Sequence, residues 1–210
     1  MSRHVQYNRI AGKNLDRVAA LSDGVFAVAM TLLVLDLRTP AATLHHEHDL
    51  AVALIHIAPN VLVYFLSFMT LGIFWVGQQT QLDQLRASDR NMSWIHLGFL
   101  CAVTLVPFST ALVAQFIALR LALLIYWANI LVLGAILFAS WHYAQCGALL
   151  RDDMPENTDR WMKRRIIVAQ SLYAFGAALC VVNNYWSLGF IVLVQLNFAI
   201  APRIGALGRL

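Results

Sequence analysis

Long apolar stretches separated by short polar segments make up most of this chain. Six such stretches can be laid out, at residues 17–37, 51–76, 94–115, 119–144, 161–182 and 186–201. A helix needs about 20 mostly apolar residues to cross the hydrocarbon core of a bilayer. Continuous runs such as LALLIYWANILVLGAILFA lack the short alternating pattern of membrane β-barrel strands. The pattern therefore predicts an all-α polytopic membrane protein, with six transmembrane helices forming a single domain over residues 1–210.

Composition and the placement of charge support this prediction and suggest an orientation. The chain is 60% hydrophobic and 12% charged, whereas a soluble domain carries about a quarter charged residues. Lysine and arginine are enriched in cytoplasmic loops. With both termini in the cytoplasm, only Arg38 and Arg120 of the 15 basic residues lie outside. We therefore predict cytoplasmic termini, and we attribute the net charge of +4 to topology rather than to a nucleic-acid partner.

Motifs of enzymatic chemistry are missing from the sequence. There is no phosphate-binding loop, dinucleotide fingerprint or His-Glu-x-x-His pair, and no Gly-x-Ser-x-Gly elbow. Most of the 11 carboxylates fall between the spans or at their ends, and Asp23 alone lies well inside one. A catalytic site needs several convergent polar groups. We therefore expect neither an enzyme nor a bound cofactor.

The segment between the first two stretches is rich in histidine. His45, His46 and His48 stand beside Glu47 and Asp49, and imidazole and carboxylate groups both suit zinc. Consecutive positions in a flexible loop do not easily converge on one tetrahedral ion. We predict a solvated polar loop there rather than a metal site.

The first stretch carries the most informative polar residues. An aspartate in an apolar helix costs roughly 2.5–3.5 kcal/mol to insert, so Asp23 should face protein or water. Ser22 precedes it, and Arg17 lies at the predicted cytoplasmic boundary. The residues alone favour a structural role for this set, joining the helix to its neighbours, over a direct role in transport.

One face of the same helix is almost entirely apolar. The residues that share it are spaced three or four apart: Leu21, Gly24, Val28, Thr31, Leu32 and Leu35. Because every face of a membrane helix can be apolar, periodicity does not distinguish a packing seam from a pore lining. On the residues alone, the packing seam is the favoured interpretation.

Three short motifs stand out along the first three stretches. They are RVAALSD at residues 17–23, Phe74-Trp75, and LVPFST at residues 105–110. Together they resemble segments of a known family, the transmembrane protein 175 potassium channels of lysosomes and their bacterial relatives. The first resembles the family pattern Arg-x-x-x-Phe-Ser-Asp, with Leu21 in place of the phenylalanine. Gln78-Gln79 stand where many relatives carry histidines, which puts in doubt any proton- or metal-linked behaviour that depends on them. The single six-helix unit is typical of the bacterial branch.

The resemblance implies a potassium-favouring cation channel. Bacterial relatives form homotetramers in which the first helix of each subunit lines a central pore. Carried onto this sequence, Val28, Leu32 and Leu35 form stacked apolar rings, and Thr31 lies close to them. The implied setting is a bacterial cell membrane, with lipid and further copies of the chain as partners and potassium as the permeant ion.

The resemblance also implies a role for the residues before the pore-lining face. Arg17, Ser22 and Asp23 would hold the first helix against the second and third, with Trp75 or His96 as candidate partners. Two other functions stay open. One is a proton-coupled transporter that titrates Asp23 and His96, against which the lack of an evident inverted repeat or broken helix weighs. The other is a non-conducting membrane scaffold.

Overall fold

The computed structural model describes residues 14–38 and 46–200, which form a helical bundle. Over these residues the only β-pairing is an isolated bridge between Leu85 and Leu150. The α-helices are α1 (Leu15–Leu32), α2 (Glu47–Leu82), α3 (Arg90–Thr104), α4 (Val106–Gln115), α5 (Arg120–Cys146), α6 (Thr158–Ala178) and α7 (Asn184–Ile200). Short 3-10 turns follow α1 at Leu33–Asp36 and α6 at Leu179–Val181. The prediction of an all-α fold is confirmed.

Six helical spans correspond to the six apolar stretches, because α3 and α4 form one interrupted span. Five are long and apolar enough to cross a bilayer: Leu15–Asp36, Glu47–Leu82, Arg90–Gln115, Arg120–Cys146 and Thr158–Val181. The sixth, α7, has 17 residues. The largest departure from the predicted bounds is in α2, which has 36 residues. It starts before the predicted residue 51 and runs past residue 76 through a polar, glutamine-rich segment that hydropathy alone does not assign to a span.

The core of the bundle is built around α5, which packs against α3, α4 and α6. Tyr126 and Trp141 of α5 are each 1% exposed. At the edge of the bundle, α1 packs on α2, α3 and α4, and the ring of Phe26 lies 6.0 Å from that of Phe99 in α3. This edge position leaves one side of α1 without a partner in the subunit.

The third span is interrupted at Leu105, a feature that the sequence analysis did not expect. Pro107 has no backbone N–H and its ring disfavours a continuous helix, so a backbone break nearby is expected. Asn129 of α5 bonds to the backbone on both sides of this break when its side-chain amide is oriented so that both its nitrogen and its oxygen have partners. In that orientation it donates to the Ala102 carbonyl at 3.1 Å and accepts from the Val106 N–H at 3.1 Å. A side chain of α5 thereby satisfies the backbone on the inner side of the break.

Two loops meet at one end of the bundle. The Arg86 N–H donates to the Leu149 carbonyl, and the Arg151 N–H donates to the Gln84 carbonyl, both at 2.9 Å. A guanidinium–carboxylate hydrogen bond from Arg151 lowers the pKa of Asp153 from its ordinary value. Basic residues predicted to be cytoplasmic therefore do cluster at a common end. The sidedness of that end in the membrane stays a prediction.

Replacing Asn129 by alanine should destabilise the fold. The substitution leaves the buried Val106 N–H without its acceptor, and an unsatisfied buried group costs about 1–3 kcal/mol. We expect a lower midpoint of thermal unfolding in detergent. Leu131→Ala is the matched control, because Leu131 lies on the same helix and is 39% exposed. An unchanged midpoint for Asn129→Ala would contradict the role assigned to this side chain.

Candidate functional site

The two faces of α1 differ sharply in their surroundings. The inward face is formed by residues that the neighbouring helices cover: Ser22 at 0% exposure, Phe26 and Ala29 at 2%, and Leu33 at 0%. Their spacing of four, three and four residues follows the helical repeat. This inward face is the packing seam of α1 within the subunit.

The apolar stripe lies on the opposite face. Leu21 is 49% exposed, Val28 58%, Leu32 44% and Leu35 72%, and Gly24 and Thr31 are exposed beside them. Part of the stripe borders an open groove of about 410 Å³, whose far wall includes Thr104 of α3. The structure therefore brings all six stripe residues onto one uncovered face, and they form no packing seam inside the subunit.

Two local features determine how this stripe is presented. The Thr31 hydroxyl donates to the Val28 carbonyl at 2.8 Å, so its hydrogen is occupied and its oxygen remains available as an acceptor. Beyond Leu32 the chain tightens into the 3-10 turn. Residues three apart eclipse one another in such a turn, which keeps Leu35 in line with Leu32.

Asp23 is bound by α2 through two hydrogen bonds. Trp75 Nε1 donates to its Oδ1 at 2.8 Å, and Gln79 Nε2 donates to the same oxygen at 2.7 Å. Bonds to an ionised group are stronger than bonds between neutral groups. The two donors are four residues apart and so share one face of α2. They hold the carboxylate against that helix and set the rotation of α1.

Ser22 makes a second, buried contact with the same helix. Gln78 Nε2 donates to Ser22 Oγ at 2.9 Å and lies 3.5 Å from His96 Nδ1 of α3. Asp23 and His96 thus belong to different contacts on neighbouring sides of α1. The paired titration on which the transporter hypothesis depends has no direct geometric basis here.

Arg17 is placed differently from the other two motif residues. It is exposed, and its backbone N–H donates to the Asn14 side chain at 3.1 Å, capping the start of α1. Within residues 14–38 and 46–200, its guanidinium makes no hydrogen bond or ion pair. The structure brings Ser22 and Asp23 to α2, and it does not bring Arg17 there.

Gln78 and Gln79 are functional contacts that the sequence analysis treated only as departures from a family pattern. A signal for Gln78 was present in α2, where the buried polar residues recur at helical spacing: Ser67, Thr70, Gln78 and Gln81. In a membrane helix, polar residues on one face mark the side that contacts protein. Gln79 lies beside that face, so only the position of α1 identifies its partner.

The histidine-rich segment contributes no cluster to this site in the part of the chain that the structure describes. His48 Nδ1 lies 3.6 Å from Asp49 Oδ1. Among the described residues no group of three or more His, Cys, Asp or Glu is placed to hold a metal ion. His45 lies outside those residues.

Comparisons with known proteins give consistent matches. The sequence model of the family described as "Endosomal/lysosomal potassium channel TMEM175" matches residues 17–107. A potassium channel of Streptomyces collinus is 31% identical over 192 residues, which cover 89% of this chain and 84% of that protein. A potassium channel of Chamaesiphon minutus is 27% identical over 188 residues, covering 88% of this chain and 93% of that protein.

A solved structure shows the same architecture. The crystal structure of a lysosomal potassium-selective channel TMEM175 homolog from Chamaesiphon minutus superposes with a TM-score of 0.77 at 25% identity. The match covers 89% of this chain and 96% of that one. The similarity therefore extends over nearly the whole of both chains, including the spans beyond residue 107.

A double-mutant cycle should detect the bond between Trp75 and Asp23. Trp75→Phe removes the indole N–H and keeps an aromatic ring, and Asp23→Asn removes the charge that strengthens the bond. Since a hydrogen bond to a charged group contributes about 1.5–3 kcal/mol, we expect a coupling on the order of 1–2 kcal/mol in detergent unfolding. The matched cycle uses Trp94→Phe, because Trp94 is 61% exposed. Equal coupling in the two cycles would rule out the bond.

Proposed function

The chain belongs to the TMEM175 family, and from this premise we propose that it is a potassium-favouring cation channel whose pore is lined by α1. It is an integral membrane protein, and channels of this family are not enzymes. One observation carries the proposal for the pore: α1 is fixed on one side by Ser22 and Asp23, while its other side presents Val28, Leu32 and Leu35 uncovered.

The proposed channel is a homotetramer. One subunit offers a single helix with one uncovered face, and one helix cannot enclose a pathway for ions. Four copies arranged about an axis would surround it and cover the uncovered faces. The potassium channels of other bacteria that match this chain along most of its length support a bacterial cell membrane as its location.

Four copies of each stripe residue would form rings along the axis. Val28, Leu32 and Leu35 provide apolar rings, and narrow apolar constrictions gate by losing water. A cation that passes them must shed part of its hydration shell, and potassium holds its water less tightly than sodium. The free oxygen lone pairs of Thr31 would replace some of that water. Such a pore favours potassium modestly, with less discrimination than a filter built of backbone carbonyls.

The transporter remains the second candidate, and the break at Leu105 is the observation that bears on it. Broken helices line the binding sites of many secondary transporters. Here, however, Asn129 occupies the break and satisfies the backbone groups on both sides. A break whose backbone groups are already satisfied by Asn129 offers few free polar groups to a substrate, so the channel is the better supported function.

Shortening the side chains that form two of the proposed rings tests the pore directly. We expect purified Leu32→Ala/Leu35→Ala protein in liposomes to pass more cation, and to discriminate less between potassium and sodium, than the unmodified protein. The reason is that the wider constriction lets ions keep more of their water. Fluxes should be measured with matched protein content and a verified oligomeric state.

Val34→Ala is the matched control for that double variant. Val34 lies between the same two residues and is 48% exposed, yet it is not part of the stripe. It should leave the flux ratio unchanged. No flux from verified oligomers in sealed vesicles would favour the scaffold instead. Flux that needs a pH gradient and saturates would favour the transporter.

Thr31 offers a test of selectivity alone. Thr31→Val keeps the shape of the side chain and removes its oxygen, whereas Thr31→Ser keeps the oxygen. We expect the potassium-to-sodium flux ratio to fall about two- to fivefold in the valine variant, which corresponds to about 0.4–1 kcal/mol, and to be retained in the serine variant. Equal ratios in all three proteins would remove Thr31 from the conduction pathway.

A further inference from the structure

A small, partly open cavity lies on the far side of α2 from the proposed pore helix. Its volume is about 60 Å³. Residues from α2, α5, α6 and α7 form its walls, including Thr80 and Gln81, Gly134, Gln170 and Tyr173, and Phe198. No residue of α1 lines it. The cavity is therefore separate from the groove along the apolar stripe.

Two of the side chains that line this cavity carry a buried polar atom without a partner among the described residues. The atoms are Gln81 Oε1 and Gln170 Oε1. Gln81 is 4% exposed, whereas the hydroxyl of Tyr173, which also lines the cavity, interacts with the side chain of Gln195. Buried polar groups in proteins almost always have a hydrogen-bond partner, either in the protein or in ordered water.

The side-chain amides of Gln81 and Gln170 each have a fixed orientation, so a 180° flip of the amide does not provide a partner for either oxygen. Gln81 Nε2 donates to the Leu137 carbonyl at 3.2 Å, and Gln170 Nε2 donates to the Ile130 carbonyl at 3.2 Å. Exchanging oxygen for nitrogen in either amide would set its oxygen against a carbonyl. Two amide oxygens therefore remain without a donor at the cavity.

We propose that this cavity is a binding site for a cluster of about two water molecules. A water molecule takes roughly 30 Å³ in the liquid and needs two to four polar partners. Water can donate to both glutamine oxygens, so one kind of ligand satisfies the two unpartnered groups. The volume and the set of donors and acceptors both fit.

The wall of the cavity also disfavours the competing ligand, a potassium ion. Two amide oxygens, a phenol and the Thr80 hydroxyl resemble the neutral oxygen ligands of a monovalent cation. Arg165 lines the same cavity, and its positive charge repels a cation while it tolerates neutral water. Arg165 is itself exposed, so the opening through which water reaches the cavity lies next to this residue.

Hydroxyl-radical labelling by X-ray radiolysis tests the proposal on the unmodified reconstituted protein. Radicals formed from bound water modify the side chains next to it even where bulk solvent cannot reach them. We expect Tyr173 to be modified severalfold faster than Tyr126, with oxygen taken up from labelled water. Tyr126 is the control, because it is equally buried and its hydroxyl is already partnered by Thr70 at 2.8 Å. Equal rates at the two tyrosines would overturn the proposal.

The sign of a stability change gives an independent test. In a hydrated cavity, Gln81→Met removes a partner of the bound water, and the unfolding midpoint should fall by about 2–4 °C. In a dry cavity, the same change removes an unsatisfied amide oxygen, and the midpoint should rise. Tyr126→Phe should lower the midpoint in either case. A shift for Gln81→Met that vanishes when potassium is replaced by a large organic cation would assign the site to the ion instead of water.

Discussion

A carboxylate within an apolar span is costly unless it faces protein or water, and the Asp23 carboxylate takes its hydrogen bonds from Trp75 and Gln79 of α2. Both donors approach one oxygen from one helix. This requirement fixes α1 in rotation as well as in depth, because turning the helix would withdraw the carboxylate from both donors at once. Phe26, Ala29 and Leu33 then face inward as a consequence. The exposure of the apolar stripe is the other consequence of the same two bonds.

The same constraint recurs wherever a polar group lies within the bundle. Asn129 satisfies the backbone at the break near Pro107. Thr110 donates to Ser67 at 2.7 Å, which ties α4 to α2. These contacts join helices to one another and leave the stripe from Leu21 to Leu35 free of polar groups other than Thr31. Hydrogen bonds thus hold the helices of the subunit together, whereas the stripe that α1 presents outward is almost entirely apolar.

Hydropathy predicted the number and the approximate positions of the spans, because each span must match the thickness of the bilayer. The repeat of the helix also grouped Leu21, Val28, Leu32 and Leu35 on one face. It could not orient that face, since Phe26 and Leu33 on the opposite side are equally apolar. The break at Leu105 was missed because proline does not stop a membrane helix when a neighbour such as Asn129 satisfies the freed groups. Gln79 was missed because its partner lies 56 positions away in the sequence.

The polar contacts of α1 are concentrated in its first half. In the part of the chain that the structure describes, the side-chain hydrogen bonds from α1 to other helices involve Ser22 and Asp23. Beyond Phe26, contact is made by apolar side chains such as Ala29 and Leu33, and apolar attraction has no preferred direction. A small rotation or tilt of the segment that carries Leu32 and Leu35 therefore breaks no hydrogen bond between helices, whereas the same motion at Asp23 breaks two. The anchor at Asp23 lies in the first half of the span, and Leu32 and Leu35 lie at its far end, so the proposed rings would change width while the subunit holds its fold.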